Sequence, residues 1–182
     1  MIKAIYEQAN ILAGLSEFRS ELVLKAKTEL SFLDVIAALK QFSECVRYLN
    51  TRRSAGTTID FNSEAGVQDL IYLMLRPWIV DLIPETPTEK VANRFSIKDF
   101  YAKSVKLVIE AKFIRDGSHG KSISKELHDD IENYRHNPNC DHLIFFIFDP
   151  DSNIPDVAAL TRTIEEERIY SGRVLHCHLI VP

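Results

Sequence analysis

Cysteine is scarce in this sequence, and long apolar runs are missing from it. The three cysteines, Cys45, Cys140 and Cys177, are odd in number and far apart, which favours neither a disulfide framework nor a zinc site. No apolar run approaches the roughly 20 residues of a membrane span, and the N-terminus lacks the apolar segment of a signal peptide. We therefore expect a cytoplasmic protein that has no membrane partner.

Repeats, low-complexity tracts and base-reading motifs such as zinc fingers are also absent from the chain. Nothing in the sequence therefore indicates which bases would be read if the partner were a nucleic acid. What the chain does have is length and apolar content. Its 182 residues, 46% of them hydrophobic, suffice for the core of one domain.

The net charge of −4 hides an uneven distribution. Residues 90–125 carry nine Lys or Arg and three acids, and most of the remaining acid lies elsewhere. A basic segment of this kind suits a phosphate-bearing partner such as DNA. A lysine-rich solvated surface is the alternative.

Two acids and a lysine fall on neighbouring predicted strands. The apolar, strand-forming residues of 105–114 predict one strand, on which Glu110 and Lys112 point to the same face because side chains alternate. A second predicted strand over residues 93–101 carries Asp99. The short connection between the two leaves room only for a tight hairpin, which can bring Asp99 beside Glu110.

These residue types suit hydrolysis of a nucleic-acid backbone. Neighbouring carboxylates repel each other, and a hard cation such as Mg²⁺, which typically takes one or two carboxylates and several waters, removes the repulsion. A nearby lysine can orient or deprotonate a water and stabilise charge on a phosphate. We therefore expect Asp99 and Glu110 to bind Mg²⁺, with Mn²⁺ able to substitute, and Lys112 to act on the water. An isolated acid-x-lysine has a simpler explanation as an exposed charge pattern.

Asp99, followed eleven residues later by Glu110-Ala-Lys112, resembles the PD-(D/E)xK nuclease superfamily. Other blocks narrow the resemblance to the DpnII/MboI-like restriction-endonuclease domains that are common in prokaryotic defence proteins. These blocks are Asn62-Ser-Glu-Ala-Gly-Val-Gln-Asp-Leu70, Ile114-Arg-Asp116, Asp130-Ile-Glu-Asn-Tyr134, His136-Asn-Pro-Asn-Cys140 and Phe148-Asp-Pro150. One departure is that Lys98, and not proline, precedes Asp99.

The resemblance implies a fuller catalytic set. Glu64 would be the helical acid that holds the metal with Asp99 and Glu110, and the Ala111 carbonyl would join them. Gln68 lies one turn after Glu64 on the same helix face, where it can support the set. An acid at a helix start is also favoured by the helix dipole without any function.

Asp130 and Tyr134 are four residues apart on a predicted helix over 121–136. The resemblance implies that they occupy the position of the Gln-x-x-x-Tyr pair of related nucleases, in which the tyrosine contacts DNA or supports the lysine. A solvated helix face with a half-buried ring is the alternative. His176 and His178 share one face of the terminal strand, but no further ligands accompany them, so a metal site is not expected there.

The expected fold is α/β, with a restriction-endonuclease-like core of a mixed β-sheet flanked by helices. This nuclease domain is expected over residues 56–182, after an N-terminal helical hairpin over 1–55 whose helices span 2–27 and 31–51. Further helices are predicted over 63–76, 121–136 and 156–169, strands over 79–84, 93–101, 105–114, 142–148 and 173–181, and a mobile loop over 117–120. The apolar stripes of the hairpin can pack on the core, pair with a second copy, or dock a sensor or regulatory protein.

The sequence thus predicts a Mg²⁺-dependent endonuclease that acts on DNA in anti-phage defence. Because one site per chain cuts one strand at a time, a homodimer or higher oligomer is expected. Two alternatives stay open: a non-catalytic module that keeps the nuclease fold to bind nucleic acid or a protein, and an RNA-cleaving toxin.

Overall fold

A computed structural model describes residues 31–52, 59–87, 97–170 and 172–182, and Phe32–Pro182 form one compact unit. The helices in these ranges are α1 (Phe32–Leu39), α2 (Phe42–Thr51), α3 (Glu64–Leu75), α4 (Gly117–Tyr134) and α5 (Val157–Ile164). The strands are β1 (Leu82–Pro87), β2 (Ile97–Ala102), β3 (Leu107–Phe113), β4 (His142–Phe148), β5 (Arg168–Tyr170) and β6 (Arg173–Ile180). The helix predicted over residues 2–27 and the predicted domain boundary after residue 55 lie outside the described residues.

The six strands form one mixed sheet in the order β1-β2-β3-β4-β6-β5. Strands β1, β2 and β3 are antiparallel, whereas β3, β4 and β6 are parallel. Parallel neighbours need a crossover connection, and α4 supplies it between β3 and β4. The predicted α/β fold with a mixed sheet and flanking helices is confirmed.

The central strand β4 separates two apolar layers. Six of its seven residues are buried, as expected for a parallel strand that is covered on both faces. On one face Leu143, Phe145 and Ile147 join a core with residues of α4 and α5. On the other face the Phe42 ring lies 4.7 Å from the Phe146 ring and 5.2 Å from the Phe148 ring, measured between centroids.

The helix predicted over residues 31–51 is divided in two. Between α1 and α2 the Gln41 N–H donates to the Ala38 carbonyl at 3.0 Å, a tightened turn that leaves Phe42 fully buried. Residues of α1 and α2 therefore pack on the core, which is one of the three possibilities open from the sequence for the hairpin.

The prediction of a mobile loop at residues 117–120 is wrong, because these residues form the first turn of α4. The Asp116 carboxylate accepts hydrogen bonds from the N–H groups of Ser118 and His119, both at 2.9 Å, which is an effective N-cap. Gly120 is required by packing, since a Cβ there would lie 2.3 Å from the Asn153 carbonyl oxygen.

The helix predicted over residues 156–169 ends earlier, at Ile164, and β5 follows as a strand that was not predicted. The Arg168 guanidinium donates to the carbonyls of Thr163, Ile164 and Glu166 and so closes the helix end. Within the described ranges no helix has the length and apolar character to cross a membrane.

Candidate active site

The acid and lysine of β3 face the crossover helix α4. Glu110 and Lys112 share the sheet face of Val108, whose side chain belongs to the core beneath α4, as the period of a strand requires. Glu110 is only 5% exposed, and it is the one buried charged residue of the described core. A buried carboxylate needs partners.

Asp99 reaches this face where β2 and β3 separate. The last paired residues of the two strands are Phe100 and Ile109, and beyond them the Ala111 N–H donates to Asp99 Oδ2 at 2.6 Å. Burial is the largest influence on the Asp99 pKa and raises it, although the Ala111 N–H and the Gln68 side chain, which both bond the carboxylate, oppose the rise. The predicted neighbours Asp99, Gln68 and Glu110 are thus brought together.

Glu110 carries the largest carboxylate shift at the site. Burial first, and then the charge of Asp99, raise its pKa to about 8. The Tyr134 hydroxyl donates a hydrogen bond to Glu110 Oε1, which favours the ionised form but does not offset the other two effects. Two coupled carboxylates with a raised pKa mark a candidate functional site.

Lys112 is paired with an acid from α4. Its Nζ atom lies 3.2 Å from Asp130 Oδ2, and the two side chains are 18% and 21% exposed. Burial lowers the Lys112 pKa, but the charges of Asp130 and Glu110 outweigh burial, so the pKa is raised. The ammonium form is therefore the favoured form of Lys112.

Glu64 borders the site from the first turn of α3. Ser63 Oγ accepts a hydrogen bond from the Gly66 N–H at 3.3 Å and caps the helix, while Gly66 leaves room for the Asp60 carbonyl, 1.7 Å from where a Cβ would stand. Glu64 is exposed, yet its charge acts on Asp99 and on Lys112. An accessible acid therefore lies near enough to Asp99 and Lys112 to act on them electrostatically.

The donor set suits a divalent cation held by two carboxylates. Among the described residues no three His, Cys, Asp or Glu side chains are grouped closely enough to hold a metal, so Glu64 does not complete a three-acid cluster with Asp99 and Glu110. Two carboxylates are the usual protein contribution to a Mg²⁺ site, with waters filling the rest. The mutual repulsion that raises the Glu110 pKa is what such a cation relieves.

Asp130 and Tyr134 both reach the site, with contacts that differ from the implied ones. The family resemblance implied that the tyrosine contacts DNA or supports the lysine. Instead, Tyr134 is 1% exposed and donates a hydrogen bond to Glu110, and Asp130 contacts Lys112. A sequence signal existed for this. Asp130 lies between Leu127 and Tyr134 on the buried stripe of α4, where an unpaired acid is costly.

In the described part of the basic segment over residues 90–125, two of the lysines form ion pairs. Lys112 pairs with Asp130 and Lys106 with Asp141, the latter at 2.9 Å. Among its described basic residues, Lys103, Lys106, Arg115, Lys121 and Lys125 are exposed. Arg115 lies two residues after the end of β3 and is the nearest of these to Lys112 in sequence.

A second polar cluster, the histidine cluster of His142, His176 and His178, lies on β4 and β6. The His142 ring stacks on the rings of Phe32, at 4.4 Å, and His176, at 5.2 Å, and Phe32 also lies 4.4 Å from His178. Within the described ranges these histidines belong to no group that could hold a metal. His142 was not grouped with the other two from the sequence because the parallel pairing of β4 with β6 joins them.

Comparison with known proteins points to one family. The model of the DpnII-MboI restriction endonuclease family, described as REase_DpnII-MboI, matches residues 34–176. That range starts in α1, ends in β6 and includes every residue of the candidate site. No curated protein and no solved structure matches the chain.

Proposed function

Because the chain belongs to the DpnII-MboI restriction endonuclease family, we propose that it is a Mg²⁺-dependent endonuclease that hydrolyses phosphodiester bonds of DNA. Family membership supports a hydrolase acting on DNA. Metal dependence is supported by the coupled pair Asp99 and Glu110, since burial and mutual repulsion raise the pKa of Glu110 to about 8. The setting we propose is anti-phage defence in the prokaryotic cytoplasm.

Asp99 and Glu110 would hold the Mg²⁺ together with the Ala111 carbonyl. Glu64 would bind one of the waters on the Mg²⁺. Mn²⁺ would substitute, because both ions accept oxygen ligands. When bound, the cation supplies Lewis-acid polarisation of the phosphate and neutralises the two carboxylates. Gln68, through its bond to Asp99, would keep that carboxylate oriented.

Lys112 would orient the attacking water and stabilise negative charge on the phosphate. The charges of Asp130 and Glu110 raise the Lys112 pKa, and an ammonium donates hydrogen bonds but cannot accept a proton. Orientation and charge stabilisation are therefore better supported than proton abstraction. Water's oxygen forms the new P–O bond as a backbone P–O bond breaks, the proton that the water loses passes to solvent, and the departing oxygen takes one up.

The decisive experiment compares plasmid cleavage by the wild type, Lys112→Ala and a control, Lys40→Ala, with Mg²⁺ present. Lys40 is an exposed lysine between α1 and α2, so its loss should leave nicking unchanged. We expect Lys112→Ala to lose nicking. Equal nicking by all three proteins would overturn the assignment, and cleavage of a matched RNA but not of DNA would replace it with an RNA-cleaving toxin.

A non-catalytic binding module is disfavoured by the retention of both acids and the lysine beside one another. Metal titration distinguishes the endonuclease from the binding module. A chain with no Mg²⁺ or Mn²⁺ affinity that depends on Asp99 and Glu110 would be a binding module.

We also propose that two or more copies act together, because a duplex has two strands and the described residues of each chain form one candidate site. Sedimentation of the protein with a DNA duplex, together with the ratio of nicked to linear plasmid, tests this. Monomeric protein that releases only nicked circles would refute it.

A further inference from the structure

We propose that α4 is a positioning helix for the catalytic strand, in which Asp130 sets the place of the Lys112 ammonium and Tyr134 sets the place of the Glu110 carboxylate. The inference rests on the proposed function of the same site. Neither α4 residue is assigned contact with DNA or with the metal. Each acts through one residue of β3.

The spacing of the two elements makes this pairing possible. Residues two apart on a strand are separated by about 6.6 Å, and residues four apart on a helix rise by about 6 Å along its axis. Glu110 and Lys112 are two apart on β3, and Asp130 and Tyr134 are four apart on α4. One helical turn therefore matches one strand repeat.

The direction of the chain fixes which residue meets which. Because β3 and β4 are parallel, α4 must return along the sheet and so runs opposite to β3. The later helix residue, Tyr134, then meets the earlier strand residue, Glu110, while Asp130 meets Lys112. The two contacts follow from one crossover.

Packing holds α4 in this register. Ile123, Leu127 and Ile131 belong to the core beneath the sheet, and a Cβ at Gly120 would lie 2.3 Å from the Asn153 carbonyl, so that turn closely approaches the neighbouring loop. A helix fixed at its start and along its buried stripe cannot slide by one residue without breaking these contacts. Its two polar residues are thus rigid supports.

The Asp130 contact is tested by steady-state cleavage of DNA with Asp130→Asn. The control is Asp129→Asn, which changes the adjacent exposed acid. We expect Asp130→Asn to reduce kcat by about 10- to 100-fold, the range for losing a supporting partner, with KM for DNA within about twofold. An unchanged kcat, or a raised KM with kcat unchanged, would overturn the Asp130 role.

A double-mutant cycle with Lys112→Ala tests the same contact without cleavage. Because Asp130 acts through Lys112, urea unfolding of the double variant should show a midpoint no lower than that of the more destabilised single variant. Additive losses would mean that the two side chains act independently, and would refute the pairing even in a protein that cuts nothing.

The Tyr134 contact is tested by Mn²⁺ calorimetry on the full chain. Tyr134→Phe keeps the buried ring and removes only the hydroxyl, and Tyr48→Phe is the control because Tyr48 is 69% exposed. We expect Tyr134→Phe to bind Mn²⁺ about 10- to 100-fold more weakly and Tyr48→Phe to bind as the wild type. Equal affinity in all three, or no binding by any, would refute the Tyr134 role.

The outcomes separate this inference from the proposed function. A wild type that cuts DNA while the α4 variants match it leaves the function standing and removes the positioning helix. A wild type that binds Mn²⁺ and cuts neither DNA nor RNA removes the function, and the calorimetry and the unfolding cycle still decide the two contacts.

Discussion

The sheet carries two clusters of titratable side chains that differ in what surrounds them. At the β2–β3 end, Asp99 and Glu110 lie together beneath α4 and the nearby cation, Lys112, is engaged by Asp130. In the histidine cluster the imidazoles stack on one another and on Phe32. The first cluster retains a repulsion that a bound cation can relieve, whereas the second is a stack of aromatic rings.

The two clusters also shift their pKa values in opposite directions. Burial and the neighbouring Asp99 raise the pKa of Glu110 to about 8. Burial lowers the pKa of His142 and of His178, and the neighbouring histidines lower them further. Each shift favours the neutral form, but only the carboxylates are negative when ionised, and a cation relieves the repulsion between them. A group of titratable residues is thus a candidate site when like charges are held together and not merely when the residue types suit a ligand.

The largest contrast is expected in catalysis. Glu110→Gln removes one carboxylate of the coupled pair, and single-turnover cleavage of DNA should fall by at least about 100-fold, the upper range for losing even an outer partner. His176→Gln alters the exposed member of the histidine cluster and should cut within about twofold of the wild type. Comparable losses in both variants would erase the distinction between the clusters.

A smaller contrast is expected in the metal-free free energy of unfolding. The folded pKa of Glu110 is raised from 4.5 to about 8, so between these values the folded state binds the extra proton and stability falls as pH rises. At about 1.4 kcal/mol per pKa unit, Glu110→Gln should recover on the order of a few kcal/mol at pH 8 and little at pH 4.5. Urea unfolding at both pH values measures this, with Glu166→Gln, at an exposed position, as the control. A gain that does not change with pH would contradict the proposed coupling.

Metal binding should offset the same repulsion. A cation at 100 times its Kd stabilises a folded protein by about 2.7 kcal/mol, so Mn²⁺ at pH 8 should raise the Tm of the wild type and of His178→Gln. Asp99→Asn should lose the shift because one of the two carboxylates is gone. Differential scanning calorimetry with and without chelator provides the measurement, and a Tm shift retained in Asp99→Asn would place the cation elsewhere.

The sequence was informative about those features that depend only on residues close to one another in the chain. Strand alternation and a tight hairpin suffice to bring Asp99 to Glu110 and to place Lys112 on the same face, and β4 has its predicted bounds because its apolar run is continuous. Ser63 was predictable as a cap from its position before Glu64. These inferences need no knowledge of distant residues.

The contacts that support the site could not be predicted from the sequence, because they depend on the tertiary structure. Tyr134 bonding Glu110 and Asp130 bonding Lys112 depend on how α4 returns over the sheet, which no local pattern gives. The glycines at 117 and 120 suggested a loop, but Gly120 is a close-packing position in a capped helix. Strand β5 has only three residues and forms because β6 pairs with it, so its own sequence carries little signal.

The smallest effect is expected from the histidine cluster in acid. The folded pKa of His178 is lowered from 6.5 by burial and by His142 and His176, and Glu165, 4.0 Å away, only partly opposes this. Below pH 6.5 the unfolded chain therefore takes the proton first, and stability present at neutral pH is lost as pH falls. His178→Gln should reduce that loss, by less than Glu110→Gln changes stability at pH 8, measured by urea unfolding at pH 7 and pH 5 against His136→Gln, an exposed histidine. Because Glu110→Gln acts at alkaline pH and His178→Gln at acidic pH, the free energy of unfolding of the double variant should change less with pH at both ends. A wild type that is equally stable at pH 7 and pH 5 would show that the stacked histidines carry no such cost.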